Sequence, residues 1–373
     1  MSAITMGALG TELSHALRPP LNSDRAVREV LDDAQREALR AALGGRALAL
    51  CFGAGVDSTA MLVALRSAGL RPDVITMADT GGEKRLTWDH VARMGGVLSA
   101  WNWPQVDVCR AVTRPSTGYS DLYGNCIANE TLPSLAFGMK SCSIRWKAQV
   151  QDQWLRGVRS GPNARAPHPL WTATRDAGTR ITKLIGYDCG KADLRRSRVR
   201  SVDPSFDYAY PLQVIGWTRA DCVRAIAHAL GADMVPIKSA CFFCPASKAW
   251  ELWWLAAQEP DLFERALYLE RNALTGRHSR FDAVAFGAKW DDLVRNADSF
   301  PSTSTCVGLG RSFSWNQWAR VNGVVDDDFR VVRARRDHFL AMAEALRAPD
   351  NALDARSVKP VPMPIKRLSR ISS

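Results

Sequence analysis

Two apolar runs, each ending in a short glycine-bearing loop and followed by a helical pattern, constrain this 373-residue chain more than any other feature. The first run, Ala47 to Phe52, reads as a strand. It leads into Gly53-Ala54-Gly55-Val56-Asp57-Ser58, and a helix is predicted from about Ser58 to Ala68. The second, Val74-Ile75-Thr76-Met77, leads into Asp79-Thr80-Gly81-Gly82-Glu83 and a helix near Trp88 to Met94. This order predicts an α/β fold, a parallel sheet with helices on both faces in the Rossmann-like manner. In open sheets of that kind ligands bind beyond the carboxyl ends of the strands, which is where both loops fall.

The first loop lacks the Lys-Ser/Thr ending of a Walker P-loop and the spacing of G-x-G-x-x-G. Gly53 and Gly55 allow a tight turn with N–H groups facing inward, and the helix that follows adds positive potential, so the loop suits an anion. An ordinary strand-to-helix turn with Asp57 as N-cap fits the same residues.

Further along, helices are predicted over Asp24 to Leu43, Ile144 to Val158 and Arg219 to Leu230, the last with Thr218 and Asp221 as a capping box. A strand is predicted over Ile181 to Tyr187, and Ser160 to Arg180 reads as an irregular loop. Trp250, Trp253, Trp254 and Ala257 share one helical face and read as core. The chain divides into an N-terminal helical extension (1–44), a domain that carries both loops (45–275), a helical C-terminal region (276–348) and a basic tail (349–373). An apolar content of 46% is ample for a core. No run reaches the roughly 18 apolar residues of a membrane span, and the first residues lack a signal pattern, so a cytoplasmic location is expected. The net charge of +11 favours polyanionic partners such as nucleotides or nucleic acid, although a solvated basic surface explains it equally. Lys183, Lys191, Arg195, Arg196, Arg198 and Arg200 crowd one segment, and the tail adds Lys359, Lys366, Arg367 and Arg370. The six histidines sit in no catalytic or metal motif and read as structural.

Nine cysteines, an odd number, favour thiols or metal ligands over disulfides. Cys241 and Cys244 have the C-x-x-C spacing that holds one metal or one iron–sulfur cluster. Structural zinc, a redox dithiol and two unliganded buried thiols fit the same pair. Cys51, Cys109, Cys189 and Cys222 read as packing residues, and Cys306 in TSTCVGLGR has no assigned role.

Six segments in order resemble one family. Gly53 to Ser58 resembles the S-G-G-x-D-S pyrophosphate loop of the adenine nucleotide α-hydrolase (PP-loop ATP pyrophosphatase) superfamily, in its phosphoadenosine phosphosulfate (PAPS) reductase-like branch. Asp79 to Glu83 resembles D-T-G-x-E, Lys140 to Lys147 resembles R-x-C-(S/T)-x-x-x-K, and Ile185 to Asp188 resembles I-G-I-D. Tyr210-Pro211-Leu212 and Lys238 to Pro245 are similar to Y-P-L and K-S-x-C-x-x-C-P. The resemblance spans about residues 45 to 275. Gly53 stands where Ser is usual, and Ala54, replacing a Gly, is expected to hold a negative φ.

The resemblance implies that ATP, or PAPS, is held by Gly53, Ala54, Gly55, Val56, Asp57, Ser58, Asp79, Thr80, Gly81, Glu83, Gly186, Asp188 and Arg195, with Asp193 beside Arg195. It implies Mg2+ on the phosphates, Asp57 or Asp79 orienting metal or ribose, and Lys147 or Lys183 stabilising the transition state. Cys142, Cys241 and Cys244, with Cys126 as a fourth, are implied to hold a [4Fe-4S] cluster, zinc being the alternative. The implied chemistry is α,β-cleavage of ATP to adenylate a substrate for sulfur transfer, with nucleic acid (DNA or tRNA) as acceptor, a sulfur-donor protein as a further partner and no membrane. A sulfonucleotide reductase and a non-catalytic nucleotide-sensing or DNA-binding subunit are the alternatives. Against the reductase, no E-C-G-x-H-type motif is present.

Overall fold

A computed structural model describes residues 24–113, 115–139, 141–159, 164–198, 203, 205–274, 308–311 and 313–352. Five strands, β1 (Ala47–Cys51), β2 (Val74–Asp79), β3 (Val106–Arg110), β4 (Ile181–Ile185) and β5 (Phe206–Ala209), form one sheet in the order β3-β2-β1-β4-β5. Every pairing is parallel, with Leu50 opposite Ile75 on one side of β1 and Leu184 on the other. All five carboxyl ends therefore meet at one edge, and the order switches direction between β1 and β4, where a ligand crevice is expected. The α/β reading holds.

Alternation along the strands divides the core between two faces. Leu48, Leu50, Ile75, Met77 and Leu184 face a cluster built on the helix Val56–Ala68, whose residues Ala60 to Leu65 are wholly buried. The helices Asp33–Leu43, Arg85–Ala100 and Arg219–Leu230 complete that layer. Ala49, Val74, Ile181 and Phe206 face Leu155 on the other side, with Leu170 and Trp171 packed against them. A third cluster joins Cys126 and Cys241 to the helices Ala249–Gln258, Pro260–Leu274, Trp315–Val321 and Arg336–Ala352. Trp250, Trp253 and Ala257 are buried, as their spacing predicts. In that cluster the buried Glu270 carboxylate accepts the N–H groups of Leu309, Trp315 and Asn316, the Ser314 hydroxyl and the Asn316 amide at 2.7–3.0 Å.

Several elements differ from expectation. The predicted helix Asp24 to Leu43 is two helices, Asp24–Arg28 and Asp33–Leu43, because Asp32 caps the second: its carboxylate accepts Gln35 N–H at 2.7 Å while the Gln35 side chain returns to Asp32 N–H at 3.2 Å. These helices share the main core. The segment read as an irregular loop contains the helix Pro169–Asp176, opened by proline at its first turn and capped by His168. The helix predicted over Ile144 to Val158 starts earlier, at Ser141, and passes through a π-helical stretch at Ile144–Ala148 before Gln149–Arg156. Lys140, Arg200, Cys306 and residues 353–373 lie outside the described residues, while the first four residues of the tail, 349–352, end the helix Arg336–Ala352. No helix among the described residues is long and apolar enough to cross a membrane.

Candidate functional site

The loop after β1 turns tightly because Ala54 takes φ +52°, in the left-handed region, and not the negative φ expected of alanine. Its methyl group is 1% exposed, so burial offsets part of a conformational cost of about 1–2 kcal/mol. Gly55 is the N-cap, and the helix starts at Val56, placing Asp57 and Ser58 in its first turn. The N–H groups of Gly53 and Gly55 converge on Ser58 Oγ, both at 3.2 Å, and Ser58 Oγ donates to the Gly55 carbonyl at 3.1 Å. Two inward donors and a helix N-terminus thus surround one hydroxyl, an arrangement suited to an anionic oxygen. Gly186, just after β4, presses on this turn: a Cβ there would lie 3.1 Å from Asp57 C and Ser58 N. Behind the loop, His90 Nε2 lies 2.9 Å from Thr59 Oγ1 and its ring stacks on Phe52. Burial pushes its pKa down to about 4, keeping the imidazole neutral.

Asp57 points sideways to Arg219, at 2.6 Å, on the first turn of the helix Arg219–Leu230. Burial pushes the Asp57 carboxyl up, and Arg219 opposes that shift. Oxygens of Asp57, Asp188 and Asp193 lie within 4.8 Å of one another, a hard donor set of the type that suits Mg2+. Asp188 also accepts Gly190 N–H at 2.7 Å, and Asp193 pairs with Arg196 at 2.8 Å. Arg195 is exposed on the same helix, Lys191–Ser197.

The loop after β2 folds on its own side chains. Asp79 accepts Gly81 N–H at 2.8 Å and Arg110 Nε at 2.6 Å, while Glu83 Oε2 accepts the Thr80 hydroxyl at 2.7 Å and the N–H groups of Thr80 and Gly82 at 3.2 Å. Gly81 takes φ +73° against the side chain of Asp121. Two backbone bonds tie this loop outward: Leu122 N–H to Thr80 O at 2.9 Å and Phe242 N–H to Gly82 O at 2.7 Å. The second delivers the two-cysteine segment to the sheet edge. There Ser239 comes so close to Gly55 that a Cβ on that glycine would lie 2.6 Å from Ser239 Oγ.

Four thiols gather beside these loops. Cys126 and Cys241 are buried in one cluster, with half-buried Cys142 and Cys244 packed against it. Cys241 Sγ lies 3.2 Å from Thr80 Oγ1, and Cys142 N–H donates to Ser134 Oγ at 2.9 Å. Burial, then Glu83, pushes the Cys241 thiol up to about 12 against the pull of Lys147, and burial raises Cys126 as well. The Lys147 ammonium is 3.9 Å from Glu83. Burial works against its charge, but Cys241, Glu83, Cys244 and Cys142 outweigh this and raise its pKa. Four soft donors from three segments fit a thiophilic metal group. Both an iron–sulfur cluster and a single zinc take such thiolates.

Lys183 is placed differently. Its 3%-exposed side chain pairs with Asp152 beside Phe206, so its ammonium serves a buried ion pair beneath the sheet edge. Cys109 and Cys222 are buried and Cys51 and Cys189 half-buried, in keeping with packing roles. Sequence reasoning missed Arg219, Arg110, Ser239 and Asp121. It also missed the parallel stack of Tyr187 on Tyr210, 5.5 Å between centroids, although both tyrosines lie inside the motifs it quoted. Two surface hollows, of about 420 and 500 Å3, open elsewhere, one beside Arg66, Trp101 and Trp103 and the other beside Arg28, Arg36 and Arg40.

No protein-family model matches the chain, and no curated protein matches it. Among solved structures, the phosphoadenylyl-sulfate (PAPS) reductase of Candida auris, in a phosphate complex, is similar over 58% of this chain and 93% of its own, at 14% identity and a TM-score of 0.34.

Proposed function

We propose that the chain binds ATP at the Gly53 to Ser58 loop and cleaves it between the α- and β-phosphates, activating an acceptor for sulfur transfer. The observation that carries this reading is the meeting, at one sheet edge, of an inward-facing N–H turn with a four-thiol group. An acceptor oxygen attacks the α-phosphorus, AMP is joined to that oxygen, and pyrophosphate leaves against the N–H groups of Gly53 and Gly55 and the Val56 helix end. Asp57, Asp188 and Asp193 would hold Mg2+, which neutralises phosphate charge when bound. Lys147, raised in pKa and poised between Glu83 and the thiols, stays cationic and offsets negative charge developing there. Lys183 is not assigned that role, because Asp152 holds it. Cys126, Cys142, Cys241 and Cys244 would hold an iron–sulfur cluster, which supplies a site where sulfur binds. The excess of basic residues supports nucleic acid as the acceptor.

The test is release of pyrophosphate and AMP from ATP with Mg2+, alongside release of sulfite from PAPS with a thiol reductant. Stoichiometric pyrophosphate, lost in Gly55→Val where the new side chain meets Ser239, is the expected result. Sulfite from PAPS without pyrophosphate from ATP assigns the site to sulfonucleotide reduction instead. No turnover of either, with ATP still bound, makes it a nucleotide sensor.

A further inference from the structure

Lys84 directly follows the Asp79 to Glu83 loop, and it and Glu251 are each 2% exposed. Its Nζ lies 3.7 Å from Glu251 Oε1 and donates to the Lys238 carbonyl at 3.2 Å, under the Trp254 ring at 5.9 Å. Lys238 Nζ donates to Glu251 Oε2 at 2.8 Å and to the Ala246 carbonyl at 2.7 Å. The same Oε2 accepts Lys248 N–H at 2.8 Å. Lys238 and Ala246 are the two ends of the segment that carries Cys241 and Cys244. One buried carboxylate therefore closes that loop at its base, and Lys84 joins the base to the loop after β2. Burying the Lys84–Glu251 pair, with the partly exposed Lys238 beside it, costs more than packing apolar residues of the same size, and the return here is a fixed geometry.

We propose that Lys84, Lys238 and Glu251 form a clamp that sets the positions of the Cys241 and Cys244 sulfurs, making the pair a preorganised site for a thiophilic metal. The clamp acts as outer positioning residues do around metal ligands, by fixing where the donors point. It holds the sulfurs whichever nucleotide the neighbouring loop takes, so its test is independent of ATP cleavage.

Two readouts on the full-length, reduced and metal-stripped protein test it: Cd2+ titration followed by thiolate-to-cadmium absorption, and iodoacetamide labelling of Cys244 relative to Cys142, which lies on another segment. Lys238→Met opens the loop base while leaving Glu251 paired with Lys84. Lys84→Met releases the base from the loop after β2, and Lys84→Arg is the conservative control. The clamp predicts Cd2+ affinity weakened about 10–100-fold in both Met variants, a Cys244 to Cys142 labelling ratio altered at least about threefold, and near-native behaviour for Lys84→Arg. Native Cd2+ affinity and labelling ratio in folded Lys238→Met overturn the proposal. So does a rise in labelling of both cysteines at a fixed ratio, the mark of general loosening. If Lys84→Met does not fold, Lys238→Met, altering a side chain 31% exposed, decides the matter.

Discussion

Between Gly53 and Ser58 the chain is shaped by backbone donors, one hydroxyl and a left-handed alanine, whereas between Lys238 and Ala246 it is shaped by buried charge. The two segments touch at Gly55 and Ser239, yet they are built on different physics. A cradle of N–H groups offers its donors to an incoming anion and can exchange one oxygen for another. A loop closed on a buried carboxylate has few alternatives to its native shape, because opening it strands a charge. The contrast separates a surface made to receive and release a ligand from one made to hold atoms in place.

The comparison breaks most visibly on its charged side. Glu251→Leu leaves Lys84 and Lys238 facing each other without their carboxylate and is expected to cost about 3–5 kcal/mol, measured by urea unfolding. A loss below about 1 kcal/mol would mean that apolar packing shapes the two-cysteine loop.

Acid sharpens the comparison on the side of the anion loop. His90, with a folded pKa of about 4 against an ordinary 6.5, binds fewer protons in the folded state than in the unfolded one over that interval. Stability therefore rises with pH between about 4 and 6.5 and falls as acid is added, by on the order of 3 kcal/mol for the full shift. Unfolding midpoints at pH 7 and 4.5 check this, with His90→Gln expected to flatten the difference.

The smallest effect is expected at Ala54. Replacing it with glycine relieves the left-handed backbone but gives up a buried methyl and frees the unfolded chain, so the net change should stay below about 1 kcal/mol. A melting comparison showing a larger gain would mean that the native turn carries more strain than its φ angle implies.

Strands β1 and β2 are legible because each is a compact apolar run ended by a loop residue, β4 is legible through Ile181, Leu184 and Ile185 despite Lys183 at its centre, and the parallel sheet follows from their order. The edge strands were not read. Val106–Arg110 and Phe206–Ala209 are half-exposed and mix polar with apolar residues, without a continuous run to mark them. The motif loops after β1 and β2 fall at one sheet edge and the four cysteines share one packed cluster, as their order suggested, but what each cation serves was not visible. Lys183 and Lys147 look alike in sequence. One is spent on Asp152 and the other stands among thiols, because partner choice depends on which helix crosses which face. Asp57–Arg219 and Lys84–Glu251 join residues far apart in the chain, and no local spacing encodes them. The φ of Ala54 was misjudged because tertiary burial outweighs local preference there.

The grip of Glu270 has a bearing on protein engineering. One carboxylate on the helix Pro260–Leu274 holds Leu309, Ser314, Trp315 and Asn316, some forty residues on in the chain. Ser314 to Asn316 open the helix Trp315–Val321, so its start is fixed by that one carboxylate. Glu270 is therefore a position that any redesign of this core must keep, since its loss would strand several buried donors at once.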